Sequence, residues 1–208
     1  MLEALTGTGL AASAGLNAYI PLMIMGLLAR FTDAINLPHG WEWLSNGWVL
    51  AILTVLLAIE TVADKVPLVD HVNDVVQTVV RPTAGGIVFG AGSSSQTATV
   101  TDPGTFFGSH QWVPIASGVL IALTVHGVKA ASRPVINATT AGFGAPVAST
   151  AEDIGSIVMS LLAILLPILV LLGLVLFVSS AIWVIRRRRQ RKRERRPVEG
   201  VTTERLFG

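Results

Sequence analysis

Apolar residues in this chain gather into long runs, not into the one-faced stripes of a water-soluble domain. Each run approaches the roughly 20 residues that a helix needs to cross a bilayer core. The first extends from Leu5 to Ala29 and is interrupted by Asn17, Tyr19 and Pro21, which predicts a break or kink. Its Gly7, Gly9, Ala11, Ala12, Ser13, Ala14 and Gly15 form a small-residue surface suited to close helix packing. Trp41, Trp43 and Trp48 follow, as in an interfacial aromatic belt. The second run, Trp48 to Val66, ends in Glu60, Asp64 and Lys65 before Pro67. The third, Asp70 to Gly92, is polar on one side at first, then small and apolar. Arg81-Pro82 divides these halves, which predicts either a broken span or a re-entrant hairpin. A polar loop from Ser93 to His110 leads to the fourth run, Trp112 to Ala131.

Ser132 to Thr150 is rich in Pro, Gly, Ala and Thr with little charge, and reads as irregular backbone. At membrane depth such backbone is tolerated only where protein or a water-filled cavity covers it. The last run, Ile154 to Ile185, is longer than the bilayer core is thick. It must tilt, bend at Pro167 or project beyond the membrane. The pattern predicts an all-α polytopic transmembrane helix bundle. About five membrane segments are expected, four being the alternative, with broken or re-entrant pieces. Five would place the N-terminus opposite a cytoplasmic C-terminus; four would place both on one side.

Composition agrees. Of 208 residues 51% are hydrophobic and 13% charged, against roughly 25% charged in a soluble domain. Cysteine is absent, which excludes disulfide scaffolds, cysteine nucleophiles and thiolate metal sites. The net charge of +2 conceals an asymmetry. Residues 186–208 carry +7 and residues 1–185 carry −5, so the chain divides into a transmembrane helical domain and a basic tail. The tail contains the run Arg186 to Arg196, directly after the longest apolar stretch. A basic run there stays cytoplasmic and attracts anionic headgroups. The expected setting is a bacterial plasma (inner) membrane, with lipids as partners and a homo-oligomer or a membrane protein partner as further options. No aromatic is interleaved in the tail, so no nucleic-acid partner is expected.

The remaining charges are few and share helix faces. Glu60 and Asp64 are four residues apart, with Lys65 beside them. Asp70, Asp74, Gln77 and Arg81 follow steps of four, three and four. His126, Lys129 and Arg133 form a second, basic stripe, and Glu152 and Asp153 add an acidic pair at the start of the last helix. An ionisable group at membrane depth costs about 2.5–3.5 kcal/mol on insertion scales, so these faces should turn inward and pair. The acids of the second and third segments are expected to meet Lys129 and Arg133. Asn17, Tyr19 and Asn137 would line the polar centre. Asp70 and Asp74 make a weak metal signal, since His71 points about 100° away from Asp70 on a helix. No nucleophile elbow, zinc-helix or P-loop pattern is present, and no enzyme activity or cofactor is expected. Gly86 and Gly90 form a GxxxG pattern, and Arg81-Pro82 echoes loosely as Arg133-Pro134.

Gly15-Leu-Asn-Ala-Tyr-Ile-Pro-Leu22, Ala63-Asp-Lys-Val-Pro67 with Asp70 and Asp74, Arg81-Pro-Thr-Ala-Gly85, Val125-His-Gly-Val-Lys-Ala130 and the acidic Glu152-Asp153 stand together in one chain. In these motifs, over roughly residues 5 to 180, the chain resembles a bacterial multi-pass integral-membrane family labelled only as a domain of unknown function, number 4126. The resemblance implies a helical integral-membrane fold and brings no activity or substrate. The residues themselves suggest a small transporter or channel-like protein for an ion or small polar solute. The alternatives are a non-catalytic membrane scaffold or regulator of a partner complex, and a protein that binds or translocates lipid headgroups.

Overall fold

A computed structural model describes residues 2–64, 67–93, 112–141 and 143–167, with 169, 172, 175 and 179 singly, and of 67–72 the backbone alone. The Lys65 site, the Ser93–His110 loop beyond Ser93 and the basic tail lie outside the described residues. The described chain is helical: α1 (Leu2–Leu16), α2 (Tyr19–Phe31), a 3-10 helix (His39–Ser45), α3 (Gly47–Ala63), α4 (Pro67–Gly92), α5 (Trp112–Thr140) and α6 (Gly144–Leu165). No strand occurs among the described residues. All these helices belong to one unit, residues 1–170; of the second, 171–208, Leu172, Val175 and Ser179 are described as helical and exposed.

Helix α1 forms the axis, packed against α4, α5 and α6. Its buried positions, Gly7 and Gly9 to Gly15, run around the whole helix, as expected of an element enclosed by others. Small side chains make this possible. A Cβ at Gly15 would lie 2.6 Å from Val125 Cβ and 2.7 Å from the Ala122 carbonyl. The antiparallel α4–α5 contact is as close: a Cβ on Gly85 or on Gly118 would strike the other glycine's carbonyl oxygen. Gly86 of the GxxxG pattern faces Ile115 and Val119, and Gly90 faces Trp41, so the pattern serves packing within the chain.

The expected first span is two helices. Asn17 ends α1, and its side-chain oxygen accepts from the Tyr19 and Ile20 amides, starting α2 in a new direction. The two helices fold back on each other. Leu10 and Met25 both lie against Gly92, and Leu2 and Glu3 line the same cavity as Met25 and Asn36. A straight helix would hold Leu2 and Asn36 about 50 Å apart. With 15 and 13 residues, the arms are about 20 Å long and cannot each cross a core about 30 Å thick. Residues 2–31 therefore form a helical hairpin with Asn17 at its tip.

Two further expectations are corrected. Arg81-Pro82 does not break the third segment: α4 continues through Pro82 to Gly92. Ser132 to Thr150 is not irregular. Helix α5 runs on to Thr140 through Pro134, and α6 starts at Gly144 after a tight turn in which Ala141 takes a positive φ of 51°. The last run bends at Leu166, one residue before Pro167, where φ and ψ are −141° and 66°.

Beside an apolar core around Leu10, Met25 and Val88, the described residues combine buried charges with exposed apolar side chains. Arg81, Glu60, Asp64, Lys129 and Arg133 are buried, while Trp48 is 82% exposed, Val79 70%, Val62 66% and Leu120 64%. Water would destabilise such a distribution; lipid accommodates it, because side chains facing acyl tails need no polar cover. Among the described residues two helices, α5 and α6, are long and apolar enough to cross a membrane. The 3-10 helix and α3, meeting at 61°, make a third if counted as one span. That is fewer than the five segments expected. The first run is a hairpin, α3 alone has only 17 residues, and α4 carries the polar stripe along one face.

Candidate functional site

The polar centre forms where the hairpin tip meets α3, α4, α5 and α6. Glu60 lies near the end of α3 and Asp64 caps it. The heptad-like steps on α4 bring Asn73, Asp74, Gln77 and Arg81 to one side, and the steps on α5 do the same for His126, Lys129 and Arg133.

Asp64 is the hub. Lys129 Nζ donates to its Oδ2 at 3.2 Å, and Asn73 Nδ2 donates to its Oδ1 at 2.7 Å. Arg81 Nη2 and Arg133 Nη2 stand 3.8 Å from Oδ2, close enough for attraction but beyond a hydrogen bond. Arg81 Nη2 donates to Glu60 Oε1 at 2.9 Å, and Arg133 Nη2 to Glu152 Oε2 at 2.6 Å. Lys129 Nζ also reaches Glu152 Oε2 at 2.9 Å and the Leu16 carbonyl at 3.2 Å. The ammonium thus sits on the C-terminal end of α1, where the helix dipole and a free carbonyl favour a cation. Glu152 is the most accessible partner in this set, with 16% of its side chain exposed.

His126 extends the network. Arginine has no acceptor, so Arg81 Nη1, 3.3 Å away, donates to Nδ1. That leaves the proton of a neutral ring on Nε2, which donates to Thr78 Oγ1 at 3.1 Å. Thr78 in turn donates to the Asp74 carbonyl at 2.9 Å. The chain Arg81, His126, Thr78 links the buried pair to an exposed position on α4.

At the tip, Asn17 Nδ2 donates to Asp153 Oδ1 at 3.0 Å, joining α1 to α6. Beside this contact Ser13 Oγ lies 2.7 Å from both Ser156 Oγ and Ser160 Oγ, all three residues being fully buried. The half-buried Tyr19 lies within electrostatic reach of Glu60, Gln77 and Arg81. Several buried oxygens find no hydrogen-bond partner among the described residues: Glu60 Oε2, Gln77 Oε1, Asp74 Oδ1 and Asn137 Oδ1.

The structure therefore brings together Glu60, Asp64, Arg81, His126, Lys129, Arg133, Glu152 and Asp153, with Asn17 and Tyr19 beside them. Asp74 is joined to His126 through Thr78, whose hydroxyl bonds the Asp74 carbonyl and the imidazole. Asn137 lies on the last turns of α5, half-buried, and its Oδ1 has no hydrogen-bond partner among the described residues. Lys65 and the Asp70 side chain fall outside the described residues. No group of three or more His, Cys, Asp or Glu poised for a metal occurs among the described residues. Sequence reasoning missed Asn73, Thr78, the Leu16 carbonyl and the serine cluster. None bears charge, and only the tertiary fold reveals their proximity.

With that geometry in hand, comparison with known proteins supplies a family. Residues 4–187 match the family described as a domain of unknown function, DUF4126. The chain belongs to that family. No curated protein and no solved structure matches it.

Proposed function

We propose that this DUF4126 protein is a small transporter or channel-like membrane protein for an ion or small polar solute. The supporting observation is the half-length hairpin of residues 2–31, whose tip ends on a buried network of opposed charges. Broken helices that end on an ion site are a recurrent device of secondary transporters. Here the free end of α1 meets Lys129, Asp64 and Glu152. Charges held so far from water are costly unless they pair, and a paired network can exchange partners when one charge arrives or leaves.

In this reading Glu60, Asp64 and Glu152 are the exchanging carboxylates, and Arg81, Lys129 and Arg133 their counter-charges. Asn17 and Tyr19 line the path. The basic tail faces the cytoplasm of a bacterial plasma membrane and holds anionic headgroups. Lipid handling has weaker support, because Lys129 and Arg133 are already engaged with Asp64 and Glu152.

Flux into proteoliposomes tests the proposal, with Asp64→Asn and Arg133→Gln beside the wild type. Solute or ion uptake above empty vesicles, reduced at least about tenfold in both variants, is the expected result; tenfold corresponds to about 1.4 kcal/mol of barrier. Folded variants that keep full flux would sink the assignment of these charges. Absence of flux for every ion and polar solute tried would sink transport itself and favour the scaffold alternative.

A further inference from the structure

We infer that the seam between α1 and α6 is a proton route, with the hydroxyls of Ser13, Ser156 and Ser160 as its dry middle. This rests on the transport reading and names its ion. On α6, Ser149, Asp153, Ser156 and Ser160 follow steps of four, three and four, which puts them on one face. That face meets Ser13 and Asn17, one turn apart on α1. From Ser149 to Ile164 the lane covers about 22 Å of a core about 30 Å thick. Its middle is closed to anything larger than a proton. Ser13, Ser156 and Ser160 are fully buried. Ser13 Oγ lies 2.7 Å from each of the other two hydroxyls, the length of a good O–H···O bond, so no ion fits between them. It is also 2.8 Å from the Ser156 carbonyl, and Ser156 Oγ is 3.2 Å from the Ser13 carbonyl. A hydroxyl donates once and accepts twice, so these three hydrogens have more acceptors than they need and each bond can run either way. A proton taken up at one end of such a chain releases another at the far end. Each oxygen accepts a hydrogen from one side and passes its own to the other, and the hydroxyls then turn back. No charge stays on a serine, and only O–H bonds are made and broken.

Both ends of the cluster point to water. At one end Leu10 and Ile164, each one turn from the serines, line the cavity of about 220 Å³ at the open end of the hairpin. It has room for several water molecules. Thr6 and Glu3 stand on its wall, and Glu3 and Asn36 are exposed. At the other end Asn17 and Asp153 follow one turn from the cluster, and Ser149 one turn beyond. Ser149 is fully buried, yet its Oγ has no hydrogen-bond partner among the described residues. Its neighbour Thr150 donates to the Pro146 carbonyl one turn back, the usual recourse of a hydroxyl on a helix. Asn137 Oδ1, also without a partner among them, falls near the same level on α5, between the Arg133–Glu152 and Thr140–Gly144 contacts. Buried polar atoms left over in this way are where ordered water binds. Glu152, beside Asp153 and 16% exposed, gives this end its access to the surface. Serine hydroxyls also hold membrane helices together. Adhesion accounts for the middle of the lane, but not for the cavity at one end and the unpartnered Ser149 at the other.

The test is proton uptake by the full chain in proteoliposomes that hold a trapped pH dye, driven by a potassium gradient with valinomycin. Uptake faster than in empty vesicles is expected, unchanged when sodium in the bath is replaced by choline and slower in deuterium oxide. Ser13→Ala and Ser160→Ala should each lower it at least about tenfold, the least that removal of a positioned proton carrier costs, in protein that keeps its helical circular dichroism. Should Ser13→Ala fail to fold, Ser160→Ala carries the test, since it leaves the Ser13–Ser156 bonds in place. Ser117→Ala, whose hydroxyl bonds the Val113 carbonyl of its own helix, should leave uptake unchanged. Uptake no faster than in empty vesicles, or full uptake in the folded alanine variants, would overturn the route. A rate that follows the sodium concentration would overturn the choice of the proton. The transport reading fails separately. Flux of another ion or solute without proton uptake would refute the route and keep transport, whereas proton uptake at the wild-type rate in Asp64→Asn and Arg133→Gln would keep the route and refute the role given to those charges.

Discussion

At the scale of single residues, the decisive fact is that each buried charge has a named partner. Arg81 is fully buried and donates to Glu60 Oε1 at 2.9 Å. Removing one member of such a pair leaves the other charged in a medium that cannot solvate it, which costs about 3–5 kcal/mol. Arg81→Met should therefore lower stability by about that amount, measured by denaturant unfolding in detergent. Glu60→Met added to Arg81→Met should restore part of the loss, because an apolar pair needs no solvation. If the double variant is less stable than Arg81→Met alone, the cost lies in packing and not in the stranded charge. Most of these charges were legible in the sequence, since steps of three and four residues place side chains on one helix face whatever the fold. Their partners were legible only as signs, acid facing base. That Asp64 serves three cations, and that Asn73 takes its second oxygen, depends on the angle at which α3 meets α4. No spacing within either helix encodes that angle.

At the scale of elements, small residues decide how near the helices come, and near approach is what allows short polar contacts between them. Gly118 faces the Gly85 carbonyl, whereas a Cβ at Gly127 would meet nothing within 4 Å. The same substitution should then act in opposite directions on one helix. Gly127→Ala should stabilise by up to about 1 kcal/mol through helix propensity. Gly118→Ala should destabilise despite that gain, because the backbones of α4 and α5 must separate. Melting temperatures of the two variants in one detergent decide this; equal shifts would mean that the α4–α5 contact is loose. A third variant tests the hairpin turn. Asn17→Ala removes the cap of α2 and the bond to Asp153, and should cost at least about 1 kcal/mol. The small-residue run 7–15 was legible as a packing surface. The continuity of α4 through Arg81-Pro82 was not. Proline disfavours helix interiors by propensity, and here tertiary packing on α1 and α5 overrides it.

At the scale of the whole molecule, the hairpin changes the topology across the bilayer and the change can be measured directly. A single span from Leu5 to Ala29 would put Glu3 and Asp33 on opposite sides of the membrane. A hairpin puts both on the same side, as the shared cavity lined by Glu3 and Asn36 requires. Both residues are exposed, and the chain has no cysteine, so Glu3→Cys and Asp33→Cys each carry one thiol on an unlabelled background. In sealed vesicles of uniform orientation, an impermeant maleimide should label both from the same face and neither from the other. Asn17→Cys, buried at the tip among Ser13, Asp153 and Lys129, should resist the reagent from either face until the membrane is dissolved. Labelling of positions 3 and 33 from opposite faces would restore the single span. It would also remove the free helix end on which the charge network converges. The ion path proposed above depends on that end: α1 can present its C-terminal carbonyl to Lys129 within the membrane only because the chain turns back at Asn17.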